Sequence, residues 1–288
     1  MNKISIITDS CCDLSPRIVE EKKIKIVPIY YYFEEENIQY GEEKKLSSNE
    51  FFTKILQGLT PKTMGCNPYK VEQLFEEELK KGNDVIYISM SSKLSGSFNH
   101  VLAVKNELAD LYPNNKIEIL DSLTGSMGEG LIVLKAVKMC EELYSFDDIV
   151  NYINKNKLCY NIEFFVDDLS YLVKGGRLKN YTAMIGNILN IKPIIKVNDF
   201  GEEVETAKIR GEKKAMDLLI SRMKDMIDPN EQIISVVHSN YENGAYKLQE
   251  KIKGLNNIKK IILTEITPTI ACHVGAGNLG LAYKKKKQ

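Results

Sequence analysis

Short apolar segments alternate with longer amphipathic segments along the first half of the chain, and this alternation restricts the folds that the chain can adopt. The strand-like segments are 4–8, 24–33, 85–89 and 117–120. Between them, residues 71–79 place four apolar side chains on one helical face, and 126–143 is apolar on nearly every face. Because parallel strands need crossover helices, the pattern predicts an α/β fold with a parallel sheet and a buried helix over 126–143.

The second half of the chain has a different pattern. Segments 193–197 and 203–208 flank a turn at Asp199-Phe200-Gly201, which predicts an antiparallel hairpin. Helices are predicted over 167–174, 181–189 and 216–223, and strands over 233–238 and 261–266. We therefore expect a smaller α+β layer after a boundary near residue 160.

Composition argues against several functional classes. The 39 basic and 39 acidic residues balance, whereas a nucleic-acid-binding domain usually carries a basic excess. The six cysteines form no C-x-x-C pair, so we expect reduced thiols in a cytoplasmic protein, with no metal site and no cofactor. The start of the chain reaches a charged residue too early for a secretory signal, so no such signal is expected.

Residues 266–283 contain no Asp, Glu, Lys or Arg. The segment is too rich in glycine, threonine and proline to span a lipid bilayer, so stable membrane insertion is not expected. We interpret it as a buried glycine-rich loop. The lysines at 284–287 are expected to form a solvated, frayed tail.

Hydroxyl groups and small residues cluster after the predicted strands. They stand in segments 8–10, 89–97 and 121–126, and also in 61–63, ahead of a predicted helix. Helix capping explains any one of these segments taken alone. Together, at the carboxyl edge of a sheet and beside apolar helices, they favour an apolar pocket with a small polar anchor.

Several of these segments, taken in order, resemble the motifs of the DegV family. The matching stretches are Asp9-Ser10-x-x-Asp13-Leu14, Lys62-Thr63, Leu94-Ser95-Gly96-Ser97, Asp121-Ser122-x-x-x-Ser126-x-Gly128, Lys174-Gly175-Gly176-Arg177 and Pro268-x-x-x-x-His273-x-Gly275-x-Gly277. The resemblance implies an N-terminal three-layer α/β/α domain with a parallel sheet, over 1–160. It also implies a smaller two-layer α/β domain with a mixed sheet, over 161–288, whose last helix packs back toward the pocket.

The same resemblance implies a ligand, a long-chain fatty acid held between the domains. Its carboxylate would accept hydrogen bonds from Thr63 and Ser95, and His273 would lie close to the same end. Gly96 and Ser126, from the same motifs, complete the expected binding residues. A protonated His273 would add positive charge beside the carboxylate.

The resemblance also implies a partner, a separate ATP-dependent fatty acid kinase that converts the bound acid to an acyl phosphate. Arg177 and Arg210 match family arginines and are expected to face this partner. The chain itself would then carry no catalytic residue.

Two other functions stay open at this stage. A dihydroxyacetone-kinase-like enzyme, or its substrate-binding subunit, would use His273 on a small polar ligand, which a pocket lined by charged groups would support. A protein whose bound lipid is only structural would not stimulate a kinase. His100 and His238 are weaker candidates for chemistry. His100, a turn beyond Ser97 on a helix, is expected to have a surface or groove role, and His238, at the end of a strand, a structural one.

Overall fold

The computed structural model describes residues 2–36, 38–41, 43–178, 190–231, 233–255 and 258–287. In chain order its elements are β1 (Ile4–Asp9), α1 (Pro16–Glu21), β2 (Lys25–Val27), β3 (Ile29–Phe33), β4 (Gln39–Tyr40), α2 (Ser48–Leu56), β5 (Pro61–Cys66), α3 (Pro68–Lys80), β6 (Asp84–Ser89), α4 (Ser97–Leu111), β7 (Ile117–Asp121), α5 (Ser126–Glu141), α6 (Phe146–Asn156), β8 (Tyr160–Phe165), α7 (Ser170–Lys174), β9 (Ile191–Val197), β10 (Glu203–Arg210), α8 (Glu212–Met226), β11 (Ile233–Ser239), α9 (Glu242–Lys253), β12 (Lys260–Glu265), α10 (Pro268–Val274) and β13 (Asn278–Lys284).

The N-terminal half contains a parallel sheet with the strand order β2-β1-β6-β7. Alternate side chains of its strands point to opposite faces, as the period of a strand requires. One face packs on α3 and α4, where Ile7 and Tyr87 are fully buried, and the other packs on α5 and α6, where Ile88 is fully buried. The predicted three-layer arrangement is therefore confirmed.

The predicted single strand over 24–33 is wrong. Pro28 stands between β2, which joins the parallel sheet, and β3, which joins a separate antiparallel sheet of order β4-β3-β5. Proline has no amide hydrogen to donate to a sheet, so it interrupts the pairing. Thr63 lies on β5 of this small sheet, which pairs with β3 and precedes α3 as the sequence indicates.

The C-terminal half contains a mixed sheet with the order β10-β9-β8-β13-β11-β12. The predicted hairpin of β9 and β10 is confirmed as antiparallel, and β11 and β12 pair in parallel. Helices α8 and α9 pack on one face. Helix α5 contacts β8 and β13 of this sheet and also β1 and β6 of the parallel sheet. The predicted buried helix is thus confirmed, and it lies between the two sheets.

The interpretation of residues 266–283 as a buried loop is wrong. The segment forms the short helix α10 and then β13, which lies inside the mixed sheet between β8 and β11. The predicted solvated, frayed tail over 284–287 is wrong for Lys284, which is buried at the end of β13. Its Nζ lies 3.1 Å from Asp228 Oδ2 and 3.1 Å from Glu231 Oε1.

Two predicted helices, the domain bounds and the expected absence of a membrane span have different outcomes. The helix predicted over 167–174 begins only at Ser170, and the one predicted over 181–189 lies outside the described residues. The mixed sheet begins at Tyr160, while the bounds 1–160 and 161–288 stay predictions. Over the described ranges, the structure contains no helix that is both long enough and apolar enough to cross a bilayer.

Candidate functional site

An apolar cleft lies between the carboxyl edge of the parallel sheet and the mixed sheet. Its walls are mainly aliphatic and aromatic, and include Leu94, Ile162, Phe164, Val237 and Ile270. The space between their atoms is about 500 Å³ when its opening is counted. Only about 50 Å³ of it is free for the centre of a water-sized sphere, so the cleft is narrow between its side chains.

A second, more polar cavity continues from this cleft. The two spaces share five lining residues, contributed by the loop after β6, by β10 and by α10: Met90, Leu94, Glu203, Ile270 and Val274. The polar cavity is also lined by Thr63, Ser95, Arg177 and His273. The structure therefore brings together Thr63 from β5, Ser95 from the segment before α4, and His273 from α10.

An open cleft connects the polar cavity to the surface. It shares Thr63, Arg177 and His273 with the polar cavity and adds exposed charged groups such as Lys62 and Lys174. The three spaces adjoin one another through these shared residues, and the series from the surface, past the hydroxyl groups, to the apolar cleft is called the path.

The His273 imidazole is held by Thr63, and it is neutral. Its Nε2 lies 2.9 Å from Thr63 Oγ1, and its buried Nδ1 has no hydrogen-bonding partner among the described residues. Burial, together with the neighbouring Arg177 guanidinium, lowers the pKa of His273 to about 3. The sequence leaves the charge of His273 open, and the low pKa makes the imidazole neutral near pH 7.

Ser95 and Gly96 lie at the amino end of helix α4. The Ser95 hydroxyl donates to Ser97 Oγ at 3.1 Å and accepts from the Ser97 amide at 3.3 Å. Gly96 is the N-cap residue and supplies no side-chain cap. The positive end of the 15-residue helix therefore lies beside Ser95, and this end of a helix favours anions.

Ser126 occupies a different part of the path. It lines the apolar cleft, and its hydroxyl donates to the Asp13 carboxylate. The structure thus places Ser126 with the apolar walls and apart from Thr63 and Ser95.

The two predicted partner-facing arginines have different surroundings. Arg177 is half-buried, and its guanidinium donates to Leu94 O at 3.0 Å and to Gly175 O at 2.6 Å. Burial lowers the pKa of Arg177, which stays a cation. Arg210 is exposed at the carboxyl end of β10 and lines none of the three spaces.

Comparison with known proteins decides the family. The family model described as "Uncharacterised protein, DegV family" matches residues 3–286. The chain belongs to the DegV family. A DegV domain-containing protein of Clostridium perfringens is 34% identical over 286 residues, which are 98% of each chain. The resemblance inferred from the ordered motifs is confirmed.

Solved structures of DegV proteins share this fold. The structure described as DegV, a fatty acid binding protein from Bacillus subtilis, is 28% identical, covers 99% of this chain and 100% of its own, and superposes with a TM-score of 0.86. A stearic-acid-binding protein of Eubacterium ventriosum is 25% identical, covers 99% of both chains and has a TM-score of 0.84. These descriptions name binding proteins and no enzymatic activity.

The sequence did not reveal one polar residue of the DegV site, Glu203. This residue begins β10 and lines both the apolar cleft and the polar cavity. Its buried Oε2 has no hydrogen-bonding partner among the described residues. Burial raises the pKa of Glu203 to about 7, although the Arg177 charge opposes this rise. In sequence, Glu202-Glu203-Val204-Glu205 is indistinguishable from an ordinary solvated hairpin.

The described part of the DegV chain offers no metal centre. No three His, Cys, Asp or Glu side chains in it are grouped so that they could hold an ion. All six cysteines are free thiols, and four of them are buried. Burial raises the pKa of both Cys11 and Cys272, so these thiols stay protonated and are poor metal ligands.

Proposed function

We propose that this DegV-family chain binds one long-chain fatty acid, with the acyl chain in the apolar cleft and the carboxylate in the polar cavity. One observation carries the proposal, namely that the cavity holding Thr63, Ser95 and His273 adjoins the apolar cleft and shares five lining residues with it. The Bacillus subtilis and Eubacterium ventriosum proteins, both described as binding fatty acids, support the choice of ligand.

The apolar cleft supplies the binding energy. Each methylene that leaves water contributes roughly 0.8 kcal/mol. A dozen methylenes give a gross gain of about 10 kcal/mol, from which the cost of association is subtracted. Tight binding therefore does not require a strong salt bridge at the head group.

The polar cavity compensates the buried carboxylate. A Thr63 hydroxyl that accepts a hydrogen bond from His273 Nε2–H is left with its own proton to donate to the ligand. Ser95 offers a second hydroxyl at the positive end of α4, and its proton turns from Ser97 Oγ to the ligand when the ligand binds. Because His273 is neutral, the positive charge comes from Arg177. The roles of Ser126 and Gly96 are to shape the path beside these groups.

The open cleft gives a partner access to the head group. We propose that a separate ATP-dependent kinase approaches there and phosphorylates the bound acid, with Arg177 and Arg210 facing it. No catalytic residue or cofactor of this chain is involved. The alternative of a small polar ligand on His273 is disfavoured by the apolar walls of the neighbouring cleft.

Extraction and affinity measurements test the binding proposal. Mass spectrometry of lipid extracted from the purified protein is expected to show one acyl chain per protein. Thr63→Ala and Ser95→Ala are each expected to weaken palmitate binding by about tenfold, because each removes a hydrogen bond to a charged group. Ser92→Ala, in the same segment but outside the cavities, is the matched control. Absence of both a copurified acyl chain and any palmitate uptake would falsify the proposal.

A further inference from the structure

Glu203 stands where the polar cavity meets the apolar cleft. It is one of the five residues common to both spaces, and it is the only carboxylate among the described residues that line either. Its Oε2 is buried without a hydrogen-bonding partner. A buried carboxylate oxygen without a partner is costly, so its presence on a ligand path points to a role toward the ligand.

The titratable groups around Glu203 leave a single positive charge. Arg177, His273 and Cys11 face it from the polar cavity, and His238 faces it from the apolar cleft. Burial lowers the pKa of both histidines and raises that of the Cys11 thiol, so these three groups are neutral near pH 7. Among the described lining residues, Arg177 is therefore the one cation that can balance a carboxylate there.

We propose that Glu203 is a ligand-binding residue that takes up one proton when a fatty acid binds and donates a hydrogen bond to its carboxylate. This inference rests on the proposed function. The proton comes from solvent, no covalent bond changes, and the loaded site holds one carboxylate, one carboxylic acid and one guanidinium.

Charge balance in the site explains why Glu203 takes up a proton. Two ionised carboxylates facing one guanidinium would leave a net negative charge in a buried site, which is strongly unfavourable. The pKa of Glu203 is already raised to about 7 in the empty protein. An anion arriving beside it raises that pKa further, since like charges disfavour ionisation. Glu203 is then protonated in the complex at a pH where it is ionised in the free protein.

The sign of the pH dependence follows from this linkage. Below about pH 7 Glu203 is protonated before the ligand arrives, and its titration leaves affinity unchanged. Above that pH, binding must draw a proton from solvent, so the dissociation constant for palmitate rises by up to tenfold per pH unit. A glutamine at this position supplies a neutral donor at every pH and removes this dependence.

Equilibrium dialysis of radiolabelled palmitate from pH 6 to 9 measures the dissociation constants of the wild type and of Glu203→Gln. The dissociation constant of the wild type is divided by that of Glu203→Gln, and this ratio is independent of the titration of the ligand itself. This ratio is expected to stay constant up to about pH 7 and then to rise approaching tenfold per unit. Glu205→Gln is the matched control, because Glu205 lies on the same strand, pairs with Lys208 and lines neither space.

A second measurement counts the protons taken up on binding directly. Calorimetry of palmitate binding at pH 8, in two buffers of different ionisation enthalpy, is expected to show proton uptake approaching one per site in the wild type, after subtraction of the uptake of Glu203→Gln. The same uptake in both proteins, or a flat ratio across the pH range, overturns the role of Glu203 and leaves fatty acid binding intact. No palmitate binding at any pH overturns the proposed function as well.

Discussion

Asp13 shows how a single buried carboxylate joins the two halves of the chain. Its Oδ1 accepts from the Thr267 amide at 2.7 Å and the Thr267 hydroxyl at 2.9 Å, and its Oδ2 accepts from Ser126. Its φ of 51° lies in the left-handed region, which Asp and Asn tolerate better than most residues. Burial raises the pKa of Asp13 to about 7, so ionisation of this group opposes folding.

Asp13→Asn is therefore expected to reduce the loss of stability between acid and neutral pH. The native pKa of about 7 exceeds the ordinary value of 3.8, so the native state binds more protons between these values. Stability from this group is complete below that window and is lost as the pH rises through it. The free energy of unfolding in urea, measured from pH 5 to 7.5, should fall by about 2 kcal/mol less in the variant than in the wild type. Equal pH dependence in the two proteins would refute this, and exposed Asp110→Asn is the control.

At the scale of elements, the end of α7 is packed against α10 through Gly175. A Cβ at Gly175 would lie 2.5 Å from His273 Nδ1 and 3.0 Å from Tyr171 O, although the φ of −73° suits any residue. The glycine is required by this close approach and not by its backbone angle. It lets the His273 ring lie where Thr63 can reach it.

Gly175→Ala is expected to displace His273 and to weaken palmitate binding by about tenfold, the loss of one hydrogen bond at the head group. The matched control is Gly254→Ala at the end of α9, where φ is −71° and the nearest atom to a Cβ is 3.8 Å away. That change should leave binding unaltered and slightly raise stability, because alanine restricts the unfolded chain. The prediction fails if the two variants bind palmitate equally well.

The sequence predicted elements well where a local period decides the structure. Strands β1, β6 and β7, helices α3 and α5, and the β9–β10 hairpin follow from local spacing and turn residues. It failed where long-range pairing decides: residues 278–284 became a strand only because β8 and β11 flank them, and Lys284 is buried only because Asp228 and Glu231 receive it. For the same reason Glu203 was missed and the charge of His273 was open, since both depend on neighbours distant in sequence.

At the scale of the whole molecule, the two sheets share one hydrophobic core. Residues such as Ile6 of the parallel sheet and Ile162 and Ala282 of the mixed sheet belong to the same buried cluster as α5. Hydrogen bonds from Ser91 Oγ to Gly201 O and from Arg177 Nε to Leu94 O join the halves around the site. The path for the ligand is thus built into the packing of the halves, and the open cleft gives access to its polar end.

Access from one end means that ligand binding and presentation to a kinase are separable. Arg210 is exposed and lines no part of the path, so Arg210→Ala is expected to leave the palmitate dissociation constant within about twofold. The same change should lower acyl phosphate formation by a fatty acid kinase catalytic subunit about tenfold when this chain, and not the kinase, limits the reaction. The reason is that an exposed guanidinium at an interface contributes on the order of 1–2 kcal/mol. Arg17→Ala, equally exposed on α1, controls for the loss of charge. If the two variants support the kinase equally well, Arg210 does not face the partner.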